Sequence, residues 1–74
     1  MARWIVDDIS PSCRFYFLKD ENNETLAIIQ FLKNRVFKYN VDFAYNAVEN
    51  NLEKSKSFLK LKDAKNYVNE VLGI

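Results

Sequence analysis

The chain has 74 residues, 49% of them hydrophobic and 15% aromatic, so it is a single small domain near the lower size limit for a self-sufficient core. The large aromatic side chains argue against disorder, and eleven basic against ten acidic side chains, a net charge of +1, argue against a dedicated polyanion binder. There is no histidine, one cysteine (Cys13) and one glycine (Gly73). These counts exclude an intrachain disulfide, a cysteine zinc site, histidine-based catalysis and a glycine-rich phosphate loop. The expectation is a chain that is not an enzyme and carries no metal and no cofactor.

Residues 3–9 contain Trp4, Ile5 and Val6 and read as a short strand, broken by Ser10–Pro11–Ser12. Residues 13–19 form a second strand, with Cys13, Phe15 and Phe17 on one face and Arg14, Tyr16 and Leu18 on the other. The polar run 20–25 is turn material, and Asn22–Asn23 tolerate the left-handed backbone that such a turn needs. Residues 26–32 are apolar on both faces, as in a strand covered on two sides. Residues 35–41 alternate again. A three-residue turn before them aligns Ala27, Ile29 and Phe31 with Phe37, Tyr39 and Val41; a two-residue turn aligns Leu26, Ile28 and Leu32 instead. The longer turn is favoured, because the other buries Gln30.

Residues 42–54 fit two descriptions. As strand they extend the alternation through Phe43 and Tyr45. As helix they set Val41, Tyr45, Val48 and Leu52 against Asp42, Asn46, Glu49 and Glu53. The two matching stripes favour the helix, while Asn50–Asn51 and the Glu49/Glu53 repulsion weaken it. Residues 58–72 form the clearest helix, with Phe58, Leu61, Ala64, Val68 and Leu72 on one stripe. Ser57 is its expected N-cap and Gly73 its left-handed terminator. The fold expected is α+β: an antiparallel β-meander of about four strands packed on one or two C-terminal helices.

This layout resembles small accessory proteins encoded by phages and other mobile elements, including some inhibitors of host defence enzymes. The likeness is carried by residues 58–72, FLKLKDAKNYVNEVL, a helix that opens on Leu-x-x-Ala-Lys after a run of strands. The resemblance implies an inhibitor or adaptor working in a host-cell cytoplasm. It transfers no functional residue.

Two surfaces stand out. The second and third strands are apolar on both faces, yet the chain offers helical cover for one. The uncovered face is expected to hold Tyr16, Leu18, Ile28 and Leu32, rimmed by Arg14 and Lys38, and to bind a protein partner or a second copy of the chain. The alternative is a nucleic-acid patch made by Lys54, Lys56, Lys60, Lys62 and Lys65 around the start of the last helix. Cys13, between apolar neighbours, reads as a small buried hydrophobe. The sequence has neither a signal-peptide segment nor a membrane-spanning run, so the compartment expected is the cytoplasm.

Overall fold

Alternating apolar residues in the first half of the chain can bury one face of a sheet, and the amphipathic C-terminal stripe supplies the cover. In the computed structural model, which describes residues 1–74, five strands and one helix follow in order. They are β1 (Arg3–Ser10), β2 (Cys13–Lys19), β3 (Thr25–Leu32), β4 (Tyr39–Phe43), β5 (Lys56–Phe58) and α1 (Leu61–Leu72). The strands form one antiparallel meander in sequence order, with β1 and β5 at the edges. The α+β meander closed by a C-terminal helix is therefore the fold, with one strand more than expected. No helix is long and apolar enough to cross a membrane.

The core lies between the sheet and α1. It is made of Tyr16, Leu18, Ala27, Ile29, Val41 and Phe43 from the strands and Ala64 and Val68 from the helix. Trp4, Phe31, Tyr39, Phe58, Leu61 and Tyr67 pack around it. Tyr67 sits edge-on to Phe43, tilts against Phe58, and donates its hydroxyl to the Lys54 carbonyl at 2.7 Å. This bond ties the long β4–β5 connection to the helix.

Register in the sheet is set by two bulges. Between β2 and β3 the pairing steps from Lys19 opposite Thr25 to Leu18 opposite Ala27, leaving Leu26 as an extra residue. Because side chains alternate, one extra residue exchanges the faces of everything beyond it. Tyr16 thus pairs with Ile29, and Phe17 with Ile28. A second shift, at Ile9, ends the regular pairing of β1 with β2. The β3–β4 pairing places Phe31 opposite Tyr39, Ile29 opposite Val41 and Ala27 opposite Phe43. That is the face alignment favoured from the sequence, although residues 33–38 all lie outside the strands and Phe37 is exposed.

Three boundaries differ from expectation. Strand β4 begins at Tyr39 rather than residue 35. Residues 44–54 are neither helix nor strand but successive turns, closed by bonds such as Ala47 N–H to the Ala44 carbonyl and Glu53 N–H to the Asn50 carbonyl. Asn50 there takes a left-handed φ of 53°, which no helix continues through. Tyr45 and Leu52, half of the expected apolar stripe, are 84% and 83% exposed. The chain must reverse in this segment because Lys56–Phe58 return to pair with β4. That pairing also shortens the helix. Ser57 lies opposite Asn40 and donates its hydroxyl to the Asn40 side chain, so it is a strand residue and not an N-cap. Helix α1 starts at Leu61, with Lys60 at the N-cap position and no side-chain cap. At its other end Gly73 has a φ of 74°, the expected left-handed terminator.

Candidate functional site

Helix α1 lies over β3, β4 and β5 and leaves the opposite face of the sheet without any layer. Pairing fixes what that face displays. Ile5 and Phe17 are opposite one another, as are Phe17 and Ile28, Asp7 and Phe15, and Phe15 and Gln30. The Phe15 and Phe17 rings stack with centroids 5.9 Å apart and an interplanar angle of 24°. Ile5 is 37% exposed on one side of them, and half-buried Ile28 adjoins on the other. These four side chains make an apolar centre with no helix over it.

The flanks of this centre are polar. Lys19 extends its ammonium over the Phe17 ring at 5.8 Å and donates to the Thr25 hydroxyl at 3.1 Å. Toward β4 and β5 the face becomes a row of Gln30, Asn40, Asp42 and Ser57. The Ser55 hydroxyl donates to Asp42 at 2.7 Å, and the Asn40 amide reaches the Gln30 carbonyl at 3.5 Å. A shallow groove of about 550 Å³ runs along this row, lined by Gln30, Leu32, Arg35, Asn40, Asp42 and Ser57 among others. Formal charges on the face are mixed, with Arg3 and Lys19 against Asp7 and Asp42.

The residues expected on the open face are divided by the structure. Tyr16 and Leu18 are core residues, 6% and 2% exposed, beneath the helix layer. Their expected place on the open face is corrected by the Leu26 bulge: without it, Leu18 would pair with Leu26 and Tyr16 with Ile28. Ile28 and Leu32 do lie on the open face. Arg14 lies on the helix side, paired with Asp8, 3.0 Å from the Tyr16 hydroxyl to which it donates, and 5.7 Å over the Phe31 ring. The Tyr16 hydroxyl, and after it Asp8, hold the guanidinium above its ordinary pKa. On that side its guanidinium covers the Phe31 ring. Lys38 lies in the β3–β4 loop and donates to the Arg35 carbonyl at 2.8 Å. The residues missed were Ile5, Phe15 and Phe17. Their alternation was visible in the sequence, but not which side of the sheet the helix takes.

The lysines of the alternative surface are spread around the helix side. Lys56 stands over the Tyr67 ring at 5.2 Å, and Lys65 over Trp4 and Tyr16 at 5.4 and 5.7 Å. These two cover the rim of the core with their stems while keeping their charge in water. Lys60 and Lys62 are exposed and Lys54 is half-buried. Cys13 is a free, half-buried thiol opposite Leu32 at the end of β2.

No family model matches the chain, and neither a curated protein nor a solved structure does.

Proposed function

We propose that this chain is a non-enzymatic protein-binding module, an inhibitor or adaptor that acts by laying its open sheet face on a protein partner. The observation that supports this is the stacked Phe15–Phe17 pair between Ile5 and Ile28 on a face with no covering layer. An aromatic centre bordered by hydrogen-bonding groups matches the anatomy of a protein interface, in which a desolvated core carries affinity and a polar rim fixes orientation. The mixed charges of the face favour a protein over a polyanion. A nucleic-acid reading has less support, because two of its five lysines are stacked on rings of the chain itself.

The test is capture from cells of the source organism with three immobilised forms: wild type, Phe15→Lys and Lys62→Glu. The reading expects one protein held by the wild type and by Lys62→Glu but not by Phe15→Lys. Circular dichroism should show the same fold in all three. Retention that ignores Phe15 and is lost with Lys62, or with added nuclease, would overturn it in favour of the lysine patch.

A further inference from the structure

The outer edge of β1 is unpaired, since β1 lies alongside β2 alone. Edge strands of this length are usually blunted, and here the blunting comes late, at the Ile9 bulge and Pro11. The stretch before it, Arg3 to Asp7, is regular. It also exposes apolar side chains on both faces: Ile5 on the open face and Val6, 51% exposed, on the helix side beyond the reach of α1.

We propose that β1 pairs antiparallel with the β1 of a second copy of this chain, centred on Ile5, joining two five-stranded sheets into one. The argument is the self-complementarity of this one register. A two-fold axis through Ile5 sets Ile5 against Ile5, Arg3 against Asp7 and Trp4 against Val6, twice each where the pair is not its own mate. Opposite charges meet on the open face, and an aromatic meets a β-branched residue on the helix face. These are the cross-strand combinations that stabilise a sheet. Neighbouring registers lack this match. Centring on Trp4 puts Arg3 against Ile5; centring on Val6 puts Ile5 against Asp7 and Trp4 against Asp8; centring on Asp7 puts that acid against itself.

The surroundings permit the contact. Helix α1 packs on β3 to β5 and reaches the seam strand only through the Lys65 side chain over Trp4, so two helices on the same side of the joined sheet do not collide there. Arg3 now donates to the Asp20 carbonyl at 3.4 Å and the Asn23 side chain at 3.2 Å, both on the surface, and gives up little by turning to Asp7 of the second copy. Asp7 has no ion-pair partner within its own chain. This pairing rests on the β1 edge and not on Phe15 or Phe17, so it stands or falls separately from partner binding on the open face.

Light scattering and sedimentation equilibrium on the whole chain test it. The wild type is expected to have twice the 8.8 kDa monomer mass. Arg3→Asp and Asp7→Arg each set like charges against one another and should weaken the dimer about tenfold or more, with the Arg3→Asp/Asp7→Arg double variant restoring it. Ile5→Lys should give a monomer, and Phe15→Lys should leave the dimer intact. Circular dichroism checks that each variant is folded. A monomeric wild type up to its solubility limit overturns the proposal. So does a dimer indifferent to both charge reversals, or one that Phe15→Lys dissociates, which would mark a face-to-face contact instead.

Discussion

The two faces of this sheet are built from nearly the same materials and do opposite things. On the helix side, Tyr16, Leu18, Ile29 and Val41 are closed off by Ala64 and Val68. On the other side, Phe15, Phe17 and Ile28 occupy the adjacent positions of the same strands and have no helix over them, only one another and the Lys19 side chain. Hydrophobicity alone does not separate them; the open face carries two phenylalanines at its centre. The difference lies in which side receives the single helix, and a helix of twelve residues can cover only part of one face. An apolar centre left over after the core is complete is surface the fold does not need, and that is why the functional proposal rests there.

Substitutions can break or sharpen this contrast. The largest effect is expected from Ile29→Ala, at a fully buried position, which should cost about 2–5 kcal/mol in urea unfolding. Its neighbour Ile28→Ala on the open face should cost about 1 kcal/mol, because less surface leaves a packed environment. Equal costs for the two would mean that the open face is covered in solution by a face-to-face contact, which edge-to-edge pairing of β1 does not provide. Tyr67→Phe removes the hydroxyl bond to the Lys54 carbonyl and should destabilise by about 1 kcal/mol, with faster amide exchange expected in residues 44–54. Gly73→Ala, at a left-handed φ with open space around the Cβ, should cost about 1 kcal/mol through backbone conformation alone. Smallest of all in stability, Phe17→Lys should change the unfolding midpoint little, yet abolish binding of an apolar dye to the open face. Undiminished dye binding would place the accessible apolar surface elsewhere, on Val36, Phe37 or Leu52.

Much of the architecture could be read along the chain because it depends on local pattern. The alternation of Phe15, Tyr16, Phe17 and Leu18 announces a strand. The Leu61, Ala64, Val68 stripe announces a helix, and Gly73 its end. The candidate site was less legible. Of its centre the strand pattern assigns only Ile28 to the open face, since the choice between Tyr16/Leu18 and Phe15/Phe17 turns on one bulged residue. Leu26 carries no glycine or other turn signal that would betray a bulge. What accompanies it is long-range: Ala27 lies opposite both Leu18 and Phe43, and the Leu26 carbonyl accepts from Ala44 N–H just beyond β4.

Strand β5 was hidden for the same kind of reason. Lys56–Ser57–Phe58 has neither the length nor the alternation of an independent strand, and it becomes one because the edge of β4 offers unsatisfied backbone groups. By itself, then, the sequence determined the first three strands, the one strong helix, the absence of histidine and glycine-loop chemistry, and a surplus of apolar strand surface. Only the tertiary structure decided which half of that surplus became core. Periodicity defines two faces for each strand, but pairing between strands and the landing of a single helix choose among them.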